Sequence, residues 1–203
     1  MSRPRFATPE PDLTDVAEPT AATDLHAEIE RLRAEVAALT ARAETAEALA
    51  DHDVLTRALN RRGFMTVLNR SMAFCRRHEV QAVLLYLDLD GFKGVNDRLG
   101  HAAGDAALMR VADLLLENVR ESDAVGRLGG DEFALLLLHA GVEEGREKAR
   151  RLAETLEADG FQWQGERAAL GGSFGVRPYV GQTDPEAWLS EADAAMWLRK
   201  KGR

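Results

Sequence analysis

Asp131 and Glu132 stand side by side directly after Gly129-Gly130, and two runs of strand-forming residues flank the four. A Gly-Gly pair supplies the positive φ angles of a two-residue turn, so Val125 to Leu138 reads as a β-hairpin. Side chains alternate across a strand, so the two carboxylates point to opposite faces. One can then enter a site while the other turns back toward the protein. Such a pair can hold a metal ion near a phosphate. It is also the composition of a solvated hairpin tip, and these few residues alone do not separate the two.

A second set of polar residues lies forty positions upstream. The apolar run within Gln81 to Leu89 reads as a strand buried on both faces, and it ends in Asp88-Leu-Asp90-Gly-Phe-Lys93-Gly-Val-Asn96-Asp97. Ligands gather where the strands of an open sheet end and loops begin. Asp88 is expected to leave the sheet beside the turn that carries Asp131. Two carboxylates from neighbouring strands, with the Leu89 carbonyl between them, suit Mg²⁺, which takes hard oxygens and keeps positions for substrate phosphates. Lys93 and the backbone amides at Gly91 and Phe92 can meet those phosphates. Asn96 and Asp105 lie on the helices that follow, and an amide beside a carboxylate can read the hydrogen-bonding edge of guanine.

These residues need a scaffold that brings separate strands together. Helical spacing predicts helices over Arg61 to His78, Gly91 to Asp97, His101 to Val119, Val142 to Ala158 and Pro185 to Lys200; strands fall at Gln81 to Leu89, on both sides of Gly129-Gly130, and within Ala168 to Tyr179. The order β-α-α-β-β-α-β-α belongs to the α/β class, here the α+β ferredoxin-like variety with its split βαβ unit. Right-handed crossovers then set the first strand beside the hairpin.

At 203 residues the chain fits one ordinary domain plus an appendage. The net charge of −8 disfavours general nucleic-acid binding. No apolar run reaches the length of a membrane span, and the N-terminus lacks a signal-peptide core. The single Cys75 excludes an internal disulfide and a cysteine-rich zinc site. A cytoplasmic location is expected.

Three segments are expected: a disordered leader over 1–23, a coiled-coil helix over 24–52 and a globular domain over 53–203. Within the helix, Leu25, Ile29, Leu32, Val36, Leu39, Ala43, Ala46 and Ala50 alternate steps of four and three. Ile29 and Val36 at a with leucines at d favour a parallel two-stranded coil. Glu28 is placed to meet Arg33 of a partner, and Arg42 to meet Glu47. A single amphipathic helix packed on its own domain explains neither the strict 3.5-residue period nor the paired charges. A homodimer through residues 25–50 is therefore expected.

The string Asp88-x-Asp-x-Phe-Lys-x-x-Asn-Asp-x-x-Gly-His-x-x-Gly-Asp105, followed by Gly-Gly-Asp-Glu-Phe133, resembles the GGDEF family of bacterial diguanylate cyclases. The resemblance runs from Asp53-x-Leu-Thr and Asn60-Arg-Arg to the C-terminus, about three quarters of the chain, and leaves out the heptads. It implies a palm-like sheet of the nucleotide-cyclase kind and a reaction joining two GTP molecules into cyclic di-GMP with release of pyrophosphate. Asp88, the Leu89 carbonyl and Asp131 match metal ligands for Mg²⁺ or Mn²⁺. Asp131 also matches the acid that helps deprotonate the attacking 3′-hydroxyl, and Glu132 the second signature acid. Lys93 would stabilise phosphate charge, Asn96 and Asp105 would hold guanine, and Gly91, Phe92, Gly129, Gly130 and Lys200 would complete the substrate contacts. Each domain of the family takes one GTP, so the bond forms only when two domains face each other.

Arg120-Glu-Ser-Asp123 has the spacing and offset of the family's inhibitory product site; a surface ion pair is the plainer alternative. Two departures stand out. Leu55-Thr-Arg-Ala-Leu59 replaces the usual Leu-Thr-Gly-Leu, and the spacing from Lys200 to Gly202-Arg203 is one residue short of the family's phosphate-binding segment. A cyclic di-GMP receptor or coiled-coil scaffold with an idle domain is the alternative function; the intact set Asp88, Lys93, Asn96, Asp105 and Asp131 weighs against it.

Overall fold

The structure, a computed structural model, describes residues 21–201 and divides into two units, Met1–Ala46 and Glu47–Arg203. The expected leader over 1–23 lies almost wholly outside the described residues, as does Arg203. In chain order the elements are α1 (Ala21–Asp51), β1 (Leu59–Asn60), α2 (Arg61–His78), β2 (Ala82–Asp90), α3 (Phe92–Leu99), α4 (His101–Glu117), β3 (Ala124–Gly129), β4 (Glu132–Leu138), α5 (Val142–Asp159), β5 (Phe161–Trp163), β6 (Glu166–Ala168), β7 (Gly171–Pro178) and α6 (Pro185–Lys201).

Along α1 the apolar stripe is exposed in the single chain: Leu25, Ile29, Leu32, Val36 and Leu39 all keep more than a third of their surface. Glu28 pairs with Arg31 and Glu30 with Arg33, one turn apart on the same helix. Exposed pairs of this kind contribute only about 0.3–0.5 kcal/mol, so they oppose re-pairing with a partner weakly.

In the second unit the sheet order is β1-β3-β4-β2-β7. β2 lies between β4 and β7 and runs antiparallel to both. Both of its faces are buried, as its unbroken apolar run requires. Val83, Leu85, Leu87 and Leu89 face a core with residues of α4 and α5, while Ala82, Leu84 and Tyr86 face a second core with α2 and α6. The four strands of the split βαβ unit thus appear in the expected order, and β2 adjoins the hairpin.

Local chemistry fixes the helices. Asn60 caps α2 by accepting from Gly63 N at 2.9 Å, and the same side chain donates to the carbonyls of Ala50 and His52. Its C-terminal turn carries Arg76, Arg77 and His78, favourable against the helix dipole. α6 sits close on β7 because position 175 is glycine: a Cβ there would lie 1.9 Å from the Ala192 carbonyl oxygen. Trp188, fully buried, donates its indole N–H to the Arg177 carbonyl at 3.2 Å and pins the same contact.

The hairpin differs from the expectation in one respect. Its turn is Gly130-Asp131, one residue later than Gly129-Gly130, because the β3–β4 register shifts at Leu128 and Gly129 pairs with Glu132. Gly130, at φ +49°, supplies the left-handed conformation. Asp131 therefore belongs to the turn and strand alternation governs only Glu132. Two small elements went unanticipated. β1 lies just before α2, where no strand is expected, and pairs in parallel with β3, and β5 and β6 form a separate two-stranded hairpin.

Candidate active site

The end of β2 and the β3–β4 turn meet. Asp88 is the cross-strand partner of Glu132, and Leu89 N donates to the Asp131 carbonyl at 3.3 Å. Residues 88–90 thus lie against residues 131–132, and all four carboxylates of the two motifs gather at one end of two neighbouring strands. Directly opposed like charges repel, so this end of the sheet calls for a cation. Lys200 supplies one: its ammonium pairs with Asp88 Oδ1 and lies 3.3 Å from Asp90 Oδ1. The hydrogen bond it donates to Asp88 is the main reason the Lys200 pKa is raised; burial opposes it.

Glu132, at the start of β4, lies near the buried Tyr86 and acts electrostatically on its phenol. Burial, then the charges of Glu132 and Asp193, push the Tyr86 pKa well up, with Arg61 opposing. Both acids of the pair are half-buried, Asp131 in the turn and Glu132 at the start of β4.

Among the described residues no three His, Cys, Asp or Glu side chains are grouped to hold a metal ion by themselves. Magnesium asks for less, since one or two carboxylates suffice when waters and phosphates complete the shell. Asp88, Asp131 and the Leu89 carbonyl are all hard oxygen donors, and Asp88 already attracts a cation. That donor set fits magnesium or manganese.

α3 begins at Phe92 with Gly91 before it at φ +85°, which presents the amides of Gly91 and Phe92 at a helix start; Lys93 is exposed beside them. The α3–α4 corner brings Asn96 against α4. A Cβ on Gly104 would lie 1.9 Å from Asn96 Oδ1, so the amide rests where only glycine leaves room, one residue from the exposed Asp105. Gly104→Ala is accordingly expected to displace the Asn96 amide with the fold retained; a shifted side-chain amide resonance beside an intact thermal melt checks it.

Arg127 was not singled out from the sequence, yet it holds the turn. Its guanidinium donates to the Gly130 carbonyl at 2.8 and 3.0 Å and to Asp53 at 3.1 and 3.3 Å. Asp53 also accepts from Thr56 N and Thr56 Oγ1, both at 2.8 Å, and Asp53 N donates to the Ala58 carbonyl. The segment after α1 is thus tied to the turn carrying Asp131. Burial raises the Asp53 pKa, but the Thr56 hydrogen bonds and Arg127 outweigh it and leave the value lowered. The Asp53 contribution to stability is therefore complete above the usual aspartate range and lost as pH falls through the lowered value. Both side chains are over four-fifths buried, so Arg127→Met is expected to cost about 3 kcal/mol in urea unfolding near pH 7. The deficit should shrink at acid pH, where Asp53 is protonated in both proteins.

Arg120 and Asp123 lie on the turn before β3. Asp123 accepts from Arg120 N at 3.0 Å and from Leu138 N at 3.1 Å, while the exposed Arg120 side chain has no protein partner among the described residues. The two are brought together through backbone rather than as a side-chain ion pair.

Residues 50–203 match the family described as "Diguanylate cyclase, GGDEF domain". The probable diguanylate cyclase DgcE of Escherichia coli is 39% identical over 154 residues, covering 75% of this chain and 14% of DgcE. Diguanylate cyclase TpbB of Pseudomonas aeruginosa is 39% identical over 155 residues, covering 75% of this chain and 35% of TpbB. The chain thus spans about a third or less of these relatives. Among solved structures, a sensory box/GGDEF protein from Caulobacter crescentus superposes with a TM-score of 0.72 at 34% identity, over 75% of this chain and 99% of that one. The coiled coil and GGDEF domain of DgcB from the same organism, in complex with c-di-GMP, gives 0.76 at 25% identity over 88% and 95%. With the motif positions converging as described and the match extending over three quarters of its length, the chain belongs to the GGDEF-domain diguanylate cyclase family.

Proposed function

We propose that the protein is a diguanylate cyclase that condenses two GTP molecules into cyclic di-GMP and two pyrophosphates as a homodimer. The observation that carries this reading is the juxtaposition of Asp88 and Leu89 with Asp131 and Glu132 across two hydrogen-bonded strands. Each 3′-hydroxyl attacks the α-phosphorus of the other GTP; a new O3′–P bond forms and the bond to the leaving pyrophosphate breaks. Asp131 receives or relays the hydroxyl proton. Lys93 and the amides of Gly91 and Phe92 bind the phosphates, with Gly129 at the end of β3 and Gly130 in the turn closing the pocket beside them. Asn96 and Asp105 orient the guanine. Magnesium or manganese held by Asp88, Leu89 O and Asp131 would supply charge neutralisation of the phosphates.

One GTP per domain leaves each site incomplete, so two domains have to face each other. The exposed heptad stripe of α1 supports pairing through residues 25–50, and pairing raises the effective concentration of one half-site near the other. Likeness to DgcB, whose structure has a coiled coil and bound c-di-GMP, supports the same arrangement and product.

Arg120, with its guanidinium unengaged, and Asp123 would bind the product and inhibit. Arg120→Ala is expected to raise the half-inhibitory cyclic di-GMP concentration at least tenfold without lowering the initial rate; an unchanged inhibition curve removes the site. The reaction itself is tested by incubating product-free protein with GTP and Mg²⁺. Cyclic di-GMP and pyrophosphate in a 1:2 ratio are expected, and GTP left intact would leave a receptor or scaffold.

A further inference from the structure

The family resemblance places Lys200 among the phosphate contacts, yet its ammonium lies on Asp88, a metal ligand of the proposed reaction. The placement is built by several parts of the fold. α6, which carries Lys200, is seated on β7 through Gly175 and Trp188. The second oxygen of Asp90 accepts the buried Ser173 hydroxyl at 2.7 Å, which turns its first oxygen toward Lys200. Asp88 in turn faces Glu132 across the strands, so the ammonium relieves a like-charge pair.

We propose that Lys200 is a resident counter-cation that competes with the divalent ion for Asp88, and that it couples metal entry to triphosphate entry. An ion arriving alone has to take Asp88 from the ammonium and leave it only the longer contact to Asp90. With a triphosphate present, the same ammonium exchanges carboxylate oxygens for phosphate oxygens, so little is lost. Metal alone therefore binds weakly, and metal with triphosphate binds well. Lys200 is a positioning residue in this role as well as a phosphate contact. The identity of the triphosphate rests on the diguanylate cyclase reading; the competition at Asp88 does not.

The test is Mn²⁺ binding to the full, nucleotide-free chain, followed by electron paramagnetic resonance. Lys200→Met is expected to bind Mn²⁺ on the order of tenfold more tightly than the parent. With a non-reactive GTP analogue present the order reverses, and the variant binds metal and nucleotide more weakly. Lys201→Met removes an equal charge from the next position, where the ammonium lies 3.6 Å over the Trp197 ring, and should leave Mn²⁺ affinity unchanged. Adding Asp88→Asn to Lys200→Met should abolish the gain. The proposal is overturned by unchanged Mn²⁺ affinity in Lys200→Met, by an equal gain in Lys201→Met, or by a gain that survives Asp88→Asn. Failure of GTP turnover would instead strike the cyclase reading and leave the Mn²⁺ competition standing.

Discussion

Asp131→Ala is expected to lower the rate of cyclic di-GMP formation about 10³-fold or more while leaving the fold intact. The carboxylate is asked to do two things, hold the metal that neutralises phosphate charge and take the proton of the attacking hydroxyl. Either contribution is worth several kcal/mol, and each 1.4 kcal/mol is a factor of ten in rate. Stability depends on other atoms of the same residue. The bond that joins the turn to β2 uses the Asp131 backbone carbonyl, and the turn is held by Arg127 through the Gly130 carbonyl. Neither is touched by removing the carboxylate, so an unfolding free energy in urea within about 0.5 kcal/mol of the parent is expected. Turnover at more than a tenth of the parental rate would refute the assigned role. A large loss of stability would show that the side chain serves the turn instead.

A second large effect is expected from the heptad seam. Replacing both Leu32 and Leu39 with Asp puts charges at adjacent d positions of a stripe that the single chain leaves exposed. Each buried leucine of a coil contributes about 1.5–3 kcal/mol, so losing two copies of each should dissociate a seam already reduced to alanine after Leu39. Linked domains meet at millimolar effective concentration, so at micromolar protein the double variant should lose roughly 10²- to 10³-fold in specific activity. Activity per chain should then rise in proportion to protein concentration. Sedimentation and initial rates over a hundredfold range of concentration check both statements together. An unchanged dimer, or activity independent of concentration, would mean that residues 25–50 are not what brings two half-sites together.

What the sequence discloses here depends on whether the responsible signal is local. β2 was legible because a strand buried on both faces shows as an unbroken apolar run, and α2 because its apolar stripe repeats at helical spacing within twenty residues. The topology followed from element order and crossover handedness. The Arg127–Asp53 pair was hidden because its members are 74 positions apart, and neither a lone Arg nor a lone Asp has a period. Arg127's place two residues before the Gly-Gly pair was the one available signal. The hairpin turn shifted because Gly-Gly and Gly-Asp can both form a tight turn, and the irregularity at Leu128 decided between them. β1 and β5–β6 are too short to display alternation. Lys200 was recognised as a cation near phosphate, but its resting place on Asp88, 112 positions away, is a property of the folded sheet.

The central claim is that Asp88 and Asp131 jointly serve one metal–triphosphate, and Mn²⁺ bound in the presence of a non-reactive GTP analogue measures it directly. Asp88→Asn and Asp131→Asn, each alone, are expected to lose nucleotide-dependent Mn²⁺ binding while still melting as folded proteins. Metal held as tightly by either variant as by the parent would contradict the shared site and the chemistry built on it.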